Sequence, residues 1–511
     1  MTICFQSCRE KNVNVNSHLS LDDYESLDTI LYHLNSHKIR EYIDLLAQAD
    51  KDSMTPDYRT RSYYKNNYSF LWISRKGIDG RADSLISCLQ NLTMIGFAKS
   101  KFRLPQIESD LQRLRNLDFD TSDYRIDKVL ARLEYNLTKA YLRYVSGQRY
   151  GFMNPRYVFN HFDVREQNEN GVIYHTLYDI KVEHADDTFY HTALEKIHED
   201  SIAAFIREAE PHGILYHSLA ELLQKPGLSS TQRAKILVNM ERCRWRMQDY
   251  PSMHKKYVLV NIPSLHLRAV DGDKVLTMKI ALGSNDNKTP LMISAIKRMD
   301  INPQWVIPKS IIRKSILPRL GDHDYFIQHR YFIRNRETGE HVDISEVSPQ
   351  MLESGDYFVI QRGGEGNALG RIVFRFDNNQ AIYLHDTSSR DIFNRSSRSV
   401  SHGCVRVEQP FELSKFVLSN KNERLIDKIK YSMNADVSPI NIKQEDMTEK
   451  MKLVADTLDR NRLIGSVNIK PNVPIFILYF TMYLDAEGNM EIFRDIYGYD
   501  PLIYRQLRNY I

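Results

Sequence analysis

Cys404 and His385 are the side chains whose types and spacing suit covalent chemistry. Cys404 lies in the run Ser401-His402-Gly403-Cys404-Val405-Arg406, nineteen positions after His385, which ends the β-like run Tyr383-Leu384-His385. A thiol attacks a carbonyl as the thiolate, so it needs an imidazole to take its proton and N–H donors to hold the oxyanion. Gly403 lets the chain turn tightly before Cys404 and bring peptide N–H groups, those of Gly403 and Cys404, up to a substrate carbonyl. Arg406 adds positive charge, which is expected to lower the thiol pKa from its free value of about 8.5. A loop of this length can return Cys404 beside His385. The spacing alone also fits a structural thiol.

The elements that must position this pair are β-strands. From Tyr257 the apolar pattern changes period: Val258, Val260 and Ile262 alternate, Asp271-Gly272 signals a hairpin, and Leu276, Met278, Ile280 and Leu282 alternate again. The chain reads as β-rich from there to about residue 410, interrupted by a charged, aromatic insertion at 309–360. A last strand pair is expected at about 473–497, from VPIFILYFTMYL across Asp485-Ala486-Glu487-Gly488 to MEIFRDIY. The preceding half reads as helix, with Leu85, Ile86, Leu89, Leu92 and Val129, Leu130, Leu133, Leu137, Ala140, Leu142 at three- and four-residue spacing. These repeats predict core. The fold class is therefore α+β. It divides into an N-terminal segment at 1–50, a helical scaffold at 51–228, a connecting helix at 229–256 and a β-rich catalytic domain at 257–511.

The chain has 511 residues and a net charge of +4, and its 42% apolar and 26% charged residues are ordinary globular usage. This near balance gives no reason to expect nucleic acid. The five cysteines, Cys4, Cys8, Cys88, Cys243 and Cys404, are odd in number and hold no C-x-x-C pair, so neither zinc nor a dense disulfide framework is indicated. The longest apolar stretch, Val473 to Leu484, is too short to span a membrane and reads as a buried strand. The opening MTICFQSC lacks a basic region and an apolar region of normal length; it fits the stub of a secretion signal.

Ser401-His402-Gly403-Cys404-Val405-Arg406 resembles the S-x-G-C-x-R/N signature of L,D-transpeptidases with a YkuD-type catalytic domain, and His385 stands in the place of that family's catalytic histidine. Tyr257–Pro263 resembles its first catalytic strand, Gly283 through Thr289-Pro290 its G-x(n)-T-P segment, and Asn302–Pro308 its N-P-x-W-x-x-P block. Asn367–Arg371 resembles its N-A-L-G-R block, and Arg494–Asp500 its C-terminal R-D-I-Y-G-x-D motif. The order of these blocks is similar to the large Gram-negative, YcbB-like branch, and Asn239-Met240-Glu241-Arg242 followed by Arg244-Trp245 to its pre-catalytic helix. That branch carries a small peptidoglycan-binding domain before the helix; the interval between His212 and Asn239 is too short for one. The 309–360 insertion corresponds to its substrate-capping lid.

The resemblance implies a peptidoglycan cross-linking reaction. Cys404 attacks the diaminopimelate–D-alanine carbonyl of a donor tetrapeptide stem, and His385 protonates the departing D-alanine. The amine of an acceptor stem's diaminopimelate then attacks the thioester. Tyr383 and Arg406 are expected to orient substrate or stabilise charge beside Gly403, while Ser401, His402, Trp305 and Asn367 are candidates for substrate binding. Asp386 follows His385 in a strand and should point away from it. No cofactor or metal is called for. Carbapenems are the implied inhibitors, the periplasm or cell envelope the implied location, and Cys8, after Phe5-Gln6-Ser7, a candidate lipid anchor. Hydrolysis, D-amino-acid exchange and lipoprotein-to-wall attachment share the thioester chemistry. A non-catalytic wall scaffold is the rival of a different class, against which the intact Cys404, His385 and Arg406 weigh.

Overall fold

Helix Ile126–Tyr150 is the axis of the N-terminal half. Its apolar spacing buries Val129, Leu130, Leu133, Leu137, Ala140 and Leu142, and helices Ser36–Ala49, Thr55–Lys65 and Leu104–Asn116 pack around it. This computed structural model describes residues 34–511 apart from 67–68, 75–76, 79, 170, 420–421, 441 and 443. Cys4 and Cys8, with the expected signal stub and lipid anchor, lie outside the described residues.

Charges inside this bundle are matched rather than isolated. The Glu134 carboxylate accepts from the backbone N–H groups of Leu71, Trp72 and Ile73, at 2.5, 3.0 and 3.1 Å. A buried carboxylate is tolerated when donors surround it, and here it pins the Leu71–Ile73 segment to the axis. One turn on, Lys139 donates to Asp50 and Asp52, and Arg143 to Asp52 and Asp57. These pairs fasten the end of helix Ser36–Ala49.

In the C-terminal half, eight strands form a closed ring. The order is Ile372–Phe376, Leu384–His385, Val405–Val407, Lys274–Gly283, His266–Asp271, Lys256–Asn261, Ser466–Leu478 and Leu291–Ile301, and the last pairs back onto the first. Closure leaves no free edge. The predicted hairpin at Asp271-Gly272 is present, with Gly272 at φ 58° turning His266–Asp271 into Lys274–Gly283. The helix repeats at 85–92 and 129–142 are buried as expected, and the helical half followed by a β-rich half is the α+β arrangement.

Three features differ from the expectations. The apolar run from Val473 does not form a hairpin with residues to 497. It belongs to Ser466–Leu478, which lies inside the ring, parallel to Lys256–Asn261 and antiparallel to Leu291–Ile301. The C-terminal hairpin is only Met482–Leu484 with Met490–Ile492. Second, helices Pro410–Val417, Glu423–Asn434 and Glu449–Thr457 fill the stretch before that strand. Third, the helical half holds a hairpin, Val164–Asn168 with Gly171–Tyr174, and strand Tyr178–Asp179, which joins Leu291–Ile301 in parallel.

The insertion is a small unit with its own sheet, ordered Trp305–Val306, Tyr357–Gln361, Tyr331–Asn335, His341–Val342. Ile307, Ile312, Ile316, Phe326, Ile333 and Val359 form its separate core.

Helix Ser230–Arg244 joins the halves; residues 224–229 turn into it directly from helix Ile214–Leu223. Its Arg242 is 1% exposed, donates to Asp500 at 2.7 Å and to Asn239 at 3.1 Å, and lies over the Tyr479 ring. Arg242→Ala leaves Asp500 an uncompensated carboxylate at the junction. Such truncations cost about 3–5 kcal/mol, so the melting temperature should fall by several degrees in calorimetry. An unchanged transition would show that this pair does not hold the halves together.

Candidate active site

The short strand Leu384–His385 pairs in parallel with Val405–Val407, with Leu384 opposite Val405 and His385 opposite Arg406. Side chains alternate along a strand and paired residues share a face. His385 and Arg406 therefore share a face, and Tyr383 and Cys404, each just before its strand and linked by the Val405 N–H to the Tyr383 carbonyl, continue the same pairing. From strand spacing and rise, the Cα atoms of His385 and Cys404 are about 8 Å apart, a diagonal that side chains span. All four line a cavity of about 580 Å³. Its far wall comes from the insertion: Trp305, Ile307, Ser310 and Ile311. Ile311 leads into a π turn at Ile312–Ile316, an irregularity frequent at functional sites.

His385 is 4% exposed. Its Nδ1 stands 2.5 Å from the Asp386 carbonyl oxygen, an acceptor only, which places a proton on Nδ1 and leaves Nε2 as the base in the neutral ring. Burial, with Arg406 adding to it, pushes the ring pKa down to about 4 against the opposing pull of the Asp386 and Leu369 backbone. The ring is neutral at neutral pH. The Asp386 carboxylate is turned away, as expected: it accepts from the Arg371 N–H and from Arg390, both at 2.9 Å. Asp386 thus orients His385 through its backbone.

Gly403 has φ +112°, a conformation that favours glycine. The Cys404 thiol donates to the Ala381 carbonyl at 3.4 Å. Its pKa departs from the expectation. Burial pushes the thiol up to about 11, although the Tyr383 N–H, Arg406 and Arg375 each pull it down. Arg406 acts in the direction expected but is outweighed. The Gly403 N–H is also not available for an oxyanion, because Ser401 Oγ accepts it at 3.2 Å. Among the described residues no acceptor takes the Cys404 N–H, which leaves it as a free donor beside the thiol.

Two expected substrate contacts act as internal braces, and one of them, Ser401, also lines the cavity. Ser401 is buried and its hydroxyl, besides accepting from Gly403, donates to the Cys404 carbonyl at 2.6 Å, which ties it into the loop. Asn367 is 1% exposed; its amide donates to the Pro303 and Arg362 carbonyls and accepts from the Leu369 N–H, which fixes the 361–369 turn. His402 and Trp305 do line the cavity, His402 exposed and Trp305 half-buried against the insertion's core.

The cavity also holds residues the sequence did not single out. Among the described residues Gln380 Nε2 and Arg406 Nε are buried without a hydrogen-bond partner, so both are donors in want of an acceptor. Arg375 lies over the Tyr383 ring at 5.0 Å and pairs with Asp300. Ala381 holds φ 53°, uncommon for a non-glycine residue, and its carbonyl meets the thiol. An Asn-Asn-Gln turn just before the histidine strand was the only signal for Gln380 and Ala381.

A closed β domain with a thiol and a neutral imidazole on one face of a cleft, fronted by a helical domain, is the class of protein these features define. Residues 255–441 match the L,D-transpeptidase catalytic domain, YkuD, and residues 57–223 match the Scaffold domain. The chain carries a YkuD-type L,D-transpeptidase catalytic domain behind a Scaffold domain. It is similar to a Haemophilus influenzae protein named "Putative L,D-transpeptidase", 28% identical over 312 residues, which are 61% of this chain and 58% of that protein. The chain thus spans just over half the length of this curated relative. A solved structure of Mycobacterium tuberculosis L,D-transpeptidase 1 is matched at 14% identity over 32% of this chain and 55% of that one, with a TM-score of 0.14.

With the thiol pKa near 11, the thiolate fraction rises about tenfold per pH unit below it. Iodoacetamide alkylation of Cys404, followed by peptide mass spectrometry, should accelerate by that factor from pH 7 to 10. A plateau below pH 8 would mean that the resting thiol is already ionised.

Proposed function

We propose that the protein is a peptidoglycan L,D-transpeptidase that works through a Cys404 thioester. The observation that carries the reading is the parallel register that sets Cys404, His385, Tyr383 and Arg406 on one face of a cleft. Cys404 Sγ attacks the carbonyl between diaminopimelate and the terminal D-alanine of a donor tetrapeptide. As the S–C bond forms, the thiol proton passes to His385 Nε2. The tetrahedral oxyanion is met by the Cys404 N–H. The C–N bond then breaks, and His385 returns the proton to the amine of D-alanine as it leaves. In the second half the side-chain amine of an acceptor diaminopimelate attacks the thioester, His385 takes its proton, and the thiol is restored.

A half-buried thiol with a raised pKa and a buried imidazole with a lowered one favour proton transfer concerted with attack over a resting ion pair. The unpartnered donors of Arg406 and Gln380 suit the carboxylates and amide oxygens of a peptide stem. A peptidoglycan substrate would be met in the periplasm or cell envelope, the location that goes with this reading. A cross-link, a hydrolysed tripeptide, an exchanged D-amino acid or a wall-bound lipoprotein differ only in which nucleophile meets the thioester.

Incubation with tetrapeptide stems and mass spectrometry of the products tests the reading. The native protein should release D-alanine and form a diaminopimelate–diaminopimelate cross-link; Cys404→Ala should do neither while keeping its fold. His385→Ala should slow D-alanine release about a hundredfold or more, the range for loss of a general base. Release by Cys404→Ala would remove the nucleophile from Cys404.

A carbapenem offers a strained carbonyl beside a carboxylate and should leave one adduct on the Cys404 peptide, absent from Cys404→Ala. Adducts on Cys88 or Cys243 instead would mean that the cleft is not an acyl-transfer site.

A further inference from the structure

The Gly403–Cys404 peptide is gripped from behind by a residue outside the cleft. Thr289 is fully buried, and its hydroxyl donates to the Gly403 carbonyl at 2.8 Å while accepting from the Gly283 N–H at 3.0 Å. The Thr289 N–H in turn donates to Tyr497 Oη at 3.1 Å, and that hydroxyl donates to the Gly283 carbonyl at 2.7 Å. The four bonds make a closed exchange between two hydroxyls and the Gly283 peptide groups, with a single output, the bond to Gly403. Gly283 must be glycine for this approach, since a Cβ there would stand 2.0 Å from the Asn287 carbonyl oxygen.

The output matters because of peptide geometry. In a planar trans peptide the carbonyl and the following N–H point in opposite directions. Fixing the Gly403 carbonyl on Thr289 therefore aims the Cys404 N–H away from the buried side. That N–H has no acceptor among the described residues, whereas the Gly403 N–H is occupied by Ser401. At φ +112° the Gly403 backbone lies where most residues cannot follow, and the glycine offers little steric resistance to rotation of this peptide. An external clamp is what holds it.

We propose that Thr289, backed by Tyr497, is a positioning residue that aims the Cys404 N–H at the developing oxyanion. The proposal rests on the acyl-transfer reading of Cys404. It separates two reactions of the same sulfur. Acylation passes through an oxyanion and needs the aimed donor; alkylation by iodoacetamide is a displacement at carbon with no oxyanion and does not.

The test uses the full chain with Thr289→Val, which keeps the shape and removes the hydroxyl, Thr289→Ser, which restores it, and Tyr497→Phe as an independent break in the clamp. Acylation is followed with a carbapenem by intact mass and alkylation with iodoacetamide. A missing oxyanion donor costs about 10²–10³ in rate. A misaimed one should cost at least tenfold in acylation by Thr289→Val and less by Tyr497→Phe, with alkylation within twofold of the native rate and Thr289→Ser close to native in both. Equal losses in acylation and alkylation would reduce Thr289 to a structural role and overturn the proposal, as would unchanged acylation or a failure of Ser to rescue. If Thr289→Val does not fold, Tyr497→Phe decides by the same ratio. Failure of the native chain to be acylated at all would instead sink the acyl-transfer reading, so the two failures are distinct.

Discussion

A parallel pair of strands two residues long has too little hydrogen bonding to persist alone. The pairing of Leu384–His385 with Val405–Arg406 persists because neighbours hold it on both sides. Ile372–Phe376 flanks the histidine strand, and Lys274–Gly283 flanks the cysteine strand. The residues facing inward from the pair, Leu384, Val405 and Val407, are fully buried, as is Phe374 beside them. One face of the pair thus belongs to the core and the other carries His385, Tyr383, Cys404 and Arg406. A one-residue slip would exchange the faces, putting the imidazole into the core and Leu384 into the cleft. The site's chemistry is thereby tied to the register, and the register to closure of the ring.

Burial at this face has an electrostatic consequence. A low-dielectric surround disfavours every isolated charge, so it raises the thiol and lowers the imidazole, and Arg406 adds to the latter. Both reacting groups rest neutral. Burial penalises the thiolate and the imidazolium most when each stands alone. Under the proposed acyl transfer, the sulfur would react as a carbonyl accepts its electrons and the proton leaves. Arg406 and Arg375 pull the thiol pKa downward without reversing its direction, and Arg406 keeps a buried donor without a partner.

Cys404, His385 and Gly403 were legible as neighbours because a strand end and a glycine turn lie within twenty residues, and the structure puts Cys404 and His385 in one cavity; the apolar spacing at 129–142 made the scaffold axis legible for a similarly local reason. Asn367 was read as a substrate contact but lies buried outside the cavity lining, and Ser401 lines it while also bracing its loop, because a polar side chain near the cavity can serve the chain as well as a ligand. The partners that decide it, the Cys404, Pro303 and Arg362 carbonyls, are set by loop conformation. Val473–Leu478 is apolar on both faces, so periodicity identifies a buried strand but not its neighbours. Its partners, Val258–Asn261 and Met292–Ile296, are nearly two hundred residues or more away. In contrast, Leu425, Ile426 and Ile429 behind the Asn422 cap carry a helix signal that attention to the β pattern passes over.

The scaffold and the ring share one continuous core, whereas the insertion has its own. The chain's C-terminus shows how closely the two are joined: the Tyr510 carbonyl accepts from Ala98, and its ring packs on Phe97, Phe102 and Phe152. On the way there the chain passes Tyr497, which touches Thr289 behind the nucleophile, and Asp500, which Arg242 of the connecting helix holds. The helix also reaches Thr481 through Asn239 and the Phe493 carbonyl through Lys235. The segment that backs the Cys404 loop is therefore fastened at both ends to scaffold helices. A close-packed interior transmits strain, and the insertion, with its separate core, lies outside that shared packing. In this architecture the segment behind the Cys404 loop is built into the core that scaffold and ring share, while the insertion beside the cleft packs on a core of its own.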